Sequence, residues 1–175
     1  MLKRICAFLL VLFLPITAFA APISVSAQSA IVINSADNCV IYSKNAYSSM
    51  PMASTTKIMT CLLACESTRL NDTVVITNEM LAGTEGSLIY LKSGDKITLY
   101  DLAVAAMLAS GNDAANAVAF CLSGSITDFV ALMNKKACSI GMKNTYFVTP
   151  SGLDEKNHHS TAYDMALLAS YAMKN

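Results

Sequence analysis

The chain has 175 residues, 54% of them hydrophobic and 14% charged, with 12 basic side chains against 12 acidic ones. That length sets one domain or a large piece of one, and so apolar a composition excludes a disordered chain. The zero charge balance lacks the basic excess of a nucleic-acid binder, and six cysteines are too sparse for a small disulfide-built scaffold.

Residues 1–20, MLKRICAFLLVLFLPITAFA, have the layout of a secretory signal. Lys3 and Arg4 open it, Ile5 to Leu14 is an apolar run, and Pro15 precedes the small-residue site Ala18-Phe19-Ala20. The run is half of the roughly 20 residues that span a bilayer, and no later run is longer. We expect cleavage after Ala20 and a protein that works outside the cytoplasmic membrane. Cleavage removes Lys3, Arg4 and Cys6, leaving 10 basic and 12 acidic residues and five cysteines. Residues 21–28 then form a short leader before a folded part at 29–175.

Residues 29–33 and 39–43 are β-rich, and the turn chemistry of Asn34 to Asn38 between them predicts a hairpin. A loop at 45–51 follows. From Ser54 the text STTKIMTCLLACEST places Ile58, Met59, Leu62 and Leu63 at helical spacing, with Ser54 a candidate N-cap. Its remaining positions are small or apolar, so this helix is expected to be central and buried. A short strand is predicted at 74–76, and short extended pieces around a Ser93–Lys96 turn within 88–99. Helices are predicted at 101–109, 113–122 and 127–140, then a loop at 144–154. Thr161-x-x-Asp164 reads as a capping box that opens a last helix running to Asn175. Two strands do not make a sheet of usual size, so the sheet is expected to be unfinished within this text. With no Cys-x-x-Cys pair there is no zinc signature, and we expect mostly free, buried thiols with at most one disulfide.

The sharpest chemical candidate is Ser54-Thr55-Thr56-Lys57. Ser and Lys three positions apart on a helix share a face, so the amine can reach the hydroxyl. A serine is a weak nucleophile until a base takes its proton. Lysine, with an ordinary pKa of about 10.4, is a base at neutral pH only where burial or a nearby cation depresses it. The apolar helix offers that burial. The plain alternative is an N-cap followed by a surface lysine, since a chain this long holds about one Ser-x-x-Lys by chance. A second copy, Ser93-x-x-Lys96, sits in a Gly-Asp turn and reads as solvated.

Ser110-Gly111-Asn112 breaks two apolar helices where propensity gives no reason for a break. It can present a hydroxyl relay and an amide to a buried site. Its plain alternative is a helix–helix turn with Asn112 or Asp113 as the next N-cap; a second Ser-x-Asn, Ser43-Lys44-Asn45, follows a strand. His158 and His159 are adjacent, do not face one another on a helix, and read as a solvated loop rather than a metal pair. There is no Gly-x-Ser-x-Gly elbow and no glycine-rich phosphate loop.

The text around both motifs is more specific than the motifs. PMASTTKIMT at 51–60, GSLIYLKSGDKITLYDLAVAAMLASGNDAANAVA at 86–119 and NTYFVTPSGLDEKNHHSTAYDMALLA at 144–169 strongly resemble the D-alanyl-D-alanine carboxypeptidases. These are low-molecular-mass penicillin-binding proteins of the serine β-lactamase/transpeptidase fold. The resemblance covers residues 29 to 175. It implies an α+β fold with a helical subdomain and an N-terminal β-hairpin of an antiparallel sheet. It further implies Ser54 as the acylated nucleophile, Lys57 as general base, Ser110 as proton relay and Asn112 as a substrate-holding residue. The implied partners are peptidoglycan stem peptides at the cell-envelope surface and β-lactams that trap Ser54; no metal or organic cofactor is implied.

One departure is serious. The family's third motif, Lys-Thr-Gly or a close variant, lies on a later sheet strand, and no such tripeptide occurs in this chain. In the family that strand also supplies an oxyanion-hole N–H, whose loss alone costs about 10²–10³ in rate. The expectation is therefore an incomplete carboxypeptidase, inactive and poorly folded as 175 residues alone. The rival enzyme reading is a serine β-lactamase. Class A members carry Ser-Asp-Asn and an activating glutamate; position 111 here is Gly, and the nearest glutamate, Glu155, reads as loop. A transpeptidase shares the acyl-enzyme. From another class, a non-catalytic peptidoglycan-binding protein is favoured by the absent motif and opposed by the joint presence of Ser54, Lys57, Ser110 and Asn112.

Overall fold

A computed structural model describes residues 23–174, and the signal expected at 1–20 lies outside them. The predicted hairpin is present: β1 (Ala30–Ile33) pairs antiparallel with β2 (Val40–Lys44), with Ala30 opposite Lys44 and an irregularity between Val32 and Ile33. Its turn closes through local side-chain bonds. Asn34 Oδ1 accepts from the Ala36 N–H and Asp37 Oδ1 from the Cys39 N–H, while Asn38 takes a left-handed φ of 59°.

A 3₁₀ turn, Ala53–Thr56, runs straight into α1 (Lys57–Glu66). Short strands β3 (Thr73–Val75) and β4 (Lys96–Thr98) pair antiparallel, with Val74 opposite Ile97. The segment between them differs from the expectation at 88–99. It holds one helical turn, α2 (Asn78–Leu81), and an irregular run in which 88–92 forms no strand. That run pairs instead with the residues around Asn112 and Asp113, so its N–H groups have partners outside any sheet.

Four helices complete the described chain: α3 (Leu99–Leu108), α4 (Asn112–Ser123), α5 (Ile126–Ile140) and α6 (Ala162–Ala172). The expected centrality of α1 holds, for it packs against α3, α4, α5 and α6. Its Met59, Leu62 and Ala64 meet Leu102 and Ala106, Ala115 and Val118, Phe129 and Met133, and Leu168 in one buried cluster. Alanine supplies most of the α4 face, which lets backbones approach closely. The large side chains contribute about 1.5–3 kcal/mol each by burial.

Threonine or serine opens three of these helices. Thr98 accepts from the Asp101 N–H, Ser125 from Asp128 and Thr161 from Asp164, each cap contributing about 1 kcal/mol. The capping box at Thr161 is half formed. The buried Asp164 carboxylate turns away from the cap, accepting from the Asn144 N–H at 2.7 Å and the Thr145 hydroxyl at 2.8 Å. The last helix stops at Ala172 rather than running to Asn175. The thiol expectation is corrected too: the five described cysteines are free, but only Cys61 is buried, and Cys39, Cys65 and Cys138 are exposed.

Candidate active site

Ser54 is not the N-cap that its position suggests. It lies inside the 3₁₀ turn, whose N-cap position is Met52 with no side-chain cap bond. Ala53, just before it, holds a left-handed φ of 45°, a conformation of measurable cost for an alanine. The loop at 149–153 shows what holds that strain. Gly152, at φ +82°, packs so closely that a Cβ there would meet the Ala53 carbonyl oxygen at 1.8 Å.

Lys57 is not a surface lysine either. Its side chain is 1% exposed, at the head of α1 in the core. The amine donates to Ser54 Oγ at 3.2 Å, Ser110 Oγ at 3.3 Å and the Ser151 carbonyl at 2.7 Å. The Ser110 hydroxyl donates to Ser54 Oγ at 2.9 Å, which closes the triangle. Lys57 is in no salt bridge among the described residues. Burial lowers its pKa below the ordinary lysine value. One helical turn on, Cys61 opposes that shift, and burial pushes its own thiol up to about 12.

The helix break now has a physical reason. Ser110 takes a left-handed φ of 56°, ending α3 and aiming its hydroxyl across at the 3₁₀ turn. Gly111, not Asn112 or Asp113, occupies the N-cap of α4 and makes no side-chain cap bond. The Asn112 backbone N–H reaches the Ser87 carbonyl at 2.7 Å, and its Nδ2 reaches the Glu85 carbonyl at 2.6 Å. Its Oδ1 has no bond to the described protein. Beside it lies a cavity of about 160 Å³, lined among others by Asn112, Asn116, Ser151 and Leu153. Glu155 is an exposed loop residue on its rim, as expected.

Four expected site residues thus fall in one place, and the competing copies do not. Ser93 is exposed in a turn and Lys96 exposed at the start of β4, and Lys44 of the Ser43–Asn45 stretch donates to the Val25 carbonyl. Sequence reasoning missed the supporting residues. Asp113 is buried and accepts from the Ile89 and Leu91 N–H groups, both at 3.1 Å. Thr60 donates to the Pro150 carbonyl at 2.6 Å, and Ser151 supplies the carbonyl on Lys57. The Pro-Ser-Gly run at 150–152 was the available signal for a close backbone approach. The reading of His158 as solvated is overturned: it is 5% exposed and bonded on both ring nitrogens, whereas its neighbour His159 is half-buried. Among the described residues no group of three or more His, Cys, Asp or Glu side chains is placed to hold a metal ion.

A hydroxyl, a charge-suppressed amine and a second hydroxyl in mutual contact can form and break an acyl ester, taking up and returning one proton. The solved structures that match the chain place it in the penicillin-binding and transpeptidase fold. It superimposes on the D-alanyl-D-alanine carboxypeptidase DacD from Francisella tularensis with a TM-score of 0.83 and 33% identity, covering 89% of this chain and 38% of that one. On penicillin binding protein 5 from Haemophilus influenzae the TM-score is 0.82 with 30% identity, over 89% and 47% of the two chains. The family model for peptidase S11, D-alanyl-D-alanine carboxypeptidase, matches residues 16–175. The D-alanyl-D-alanine carboxypeptidase DacF of Bacillus subtilis is 42% identical over 153 residues, 85% of this chain and 39% of the relative. The chain belongs to the D-alanyl-D-alanine carboxypeptidase family. It spans about two fifths of the length of the curated relatives it matches.

Proposed function

We propose that the protein carrying these residues is a serine-type D-Ala-D-Ala carboxypeptidase of the cell envelope, exported by the signal at 1–20. The observation that carries this is the Ser54 hydroxyl 3.2 Å from a buried lysine amine whose pKa is lowered. Ser54 gives its proton to Lys57 as Oγ bonds to the carbonyl carbon of the terminal D-Ala-D-Ala peptide. As the C–N bond breaks, the proton passes through Ser110 to the leaving amine of D-Ala. Water then attacks the ester, Lys57 takes its proton, and Ser54 is restored. Asn112 holds the stem peptide from the cavity wall, its free Oδ1 accepting a peptide N–H. A β-lactam presents a strained amide to the same hydroxyl and leaves a penicilloyl ester on Ser54.

The test uses the whole protein with a stem pentapeptide and a fluorescent penicillin. We expect D-Ala release and a single adduct on Ser54, both abolished in Ser54→Ala. Labelling that survives Ser54→Ala overturns the assignment, and penicillin turnover without D-Ala release makes the protein a β-lactamase instead. The same probe on the 175 residues alone checks the expectation that they do not react without a Lys-Thr-Gly strand. Export is checked by N-terminal sequencing, with Ala21 expected first.

A further inference from the structure

His158 lies outside the Ser54–Lys57–Ser110 triangle, yet it is buried among residues that shape it. Its Nδ1 faces two backbone N–H groups, Val148 at 3.0 Å and Thr149 at 3.3 Å. Backbone N–H groups only donate, so Nδ1 must present its lone pair. The neutral ring then carries its proton on Nε2, which faces Thr56 Oγ1 at 2.8 Å. The tautomer follows from the partners, with no freedom left to the ring.

Those two bonds join two parts of the site. Thr56 stands in the turn between Ser54 and Lys57. Val148 and Thr149 open the loop whose Pro150 carbonyl is bonded by Thr60 and whose Ser151 carbonyl holds the Lys57 amine at 2.7 Å. The Phe147 ring packs edge-on against the imidazole, with 6.0 Å between centroids, and an isolated bridge between Tyr146 and His159 closes the loop behind it. We infer that His158, as its Nε2–H tautomer, is a positioning residue for acyl transfer: it sets the Ser151 carbonyl against the Lys57 amine by tying the 148–152 loop to Thr56. A second proton, arriving at Nδ1, points a donor at two donors and releases the loop. The inference rests on the acyl-transfer reading of Ser54.

The ring's surroundings keep it neutral at neutral pH. Burial lowers the His158 pKa from the ordinary 6.5, the His159 charge lowers it further, and Asp154 and Glu155 on the loop oppose both.

Two measurements test this. The sequence has only two histidines, so a nitrogen-resolved imidazole spectrum of the whole protein reads both tautomers, with His158→Gln identifying the signals. We expect His158 protonated on Nε2 and bare on Nδ1 at neutral pH; an Nδ1–H ring, or a charged one, overturns the inference. The second is the rate of acylation by a fluorescent penicillin against pH. With Lys57 and His158 both required neutral, the logarithm of the wild-type rate falls with a slope of two on the acid side of both titrations. His158→Gln, which cannot charge, falls with a slope of one. Thr56→Val, which leaves the ring but removes its acceptor, acylates about tenfold more slowly at unchanged penicillin affinity. A slope of two in His158→Gln, or wild-type rates in Thr56→Val, overturns the inference. If His158→Gln does not fold, Thr56→Val and the wild-type spectrum decide it. A wild type that penicillin never acylates refutes the reading of Ser54 instead, and the spectrum still judges the tautomer.

Discussion

Lys57 is the residue on which physical chemistry is most demanding. An amine that water would keep protonated is 1% exposed and has no carboxylate partner among the described residues. Its three contacts are with two hydroxyls and a carbonyl; a hydroxyl can also donate, so a neutral amine satisfies all three with two N–H groups and a lone pair. The sign of the linkage follows. The folded pKa lies below the unfolded 10.5, so between those values the unfolded chain binds the extra proton. Stability held back at neutral pH therefore returns as pH rises toward 10.5, and is fully present above it. We expect the unfolding free energy of the wild type to rise, relative to Lys57→Met, from pH 7 to pH 10. Urea unfolding of the pair at several pH values measures it, and parallel profiles would refute it. The Ser54–Lys57 pairing was legible because three positions on a helix is a fixed geometry. Its depth was not, because burial of α1 depends on α3 to α6, which sequence spacing does not place.

At the scale of elements, the site is a turn, a helix break and a loop clamped together. Gly152 is where the clamp is tightest. An alanine there meets the Ala53 oxygen at 1.8 Å and the Thr56 hydroxyl at 2.7 Å, in a backbone of φ +82°. Overpacking typically costs about 1–3 kcal/mol and a left-handed alanine about 1 more. We expect Gly152→Ala to lose about 3 kcal/mol or more and to slow acylation of Ser54. Gly94→Ala is the control: φ there is +96° but the new methyl meets nothing within 4 Å, so its loss should stay near 1 kcal/mol. Equal losses by chemical denaturation would mean that the clamp does not bear on stability. The caps at Thr98, Ser125 and Thr161 and the hairpin were readable, since each is decided within a few residues. The 88–92 run was misread as extended because its partner is the buried Asp113 carboxylate, 22 to 24 positions away, and local pattern carries no trace of such a bond. His158 failed for the same reason: its Thr56 partner is 102 positions distant.

For the molecule as a whole, packing is unevenly distributed. The helices share one core through α1, while no residue of β1 or β2 is fully buried and Ile41 is 70% exposed. The hairpin is tied on by contacts with α6, including the Ser170 hydroxyl at 3.3 Å from the Ser35 carbonyl. Local opening follows buried apolar contact. In this chain, hydrogen exchange should open the hairpin amides at a small fraction of the free energy needed for α1 and α4, and uniform protection would contradict that. The helices were legible because their apolar positions declare themselves by period, and the fold class through the resemblance of whole segments to a family; the way the helices converge on one of them did not show in any single segment.

The amine of Lys57 draws on partners 53 and 94 positions away, Ser110 and Ser151. Before those segments meet, position 54 is an ordinary alcohol and position 57 an ordinary ammonium. The chain is therefore chemically harmless while it is being made, and it arms itself only on closing.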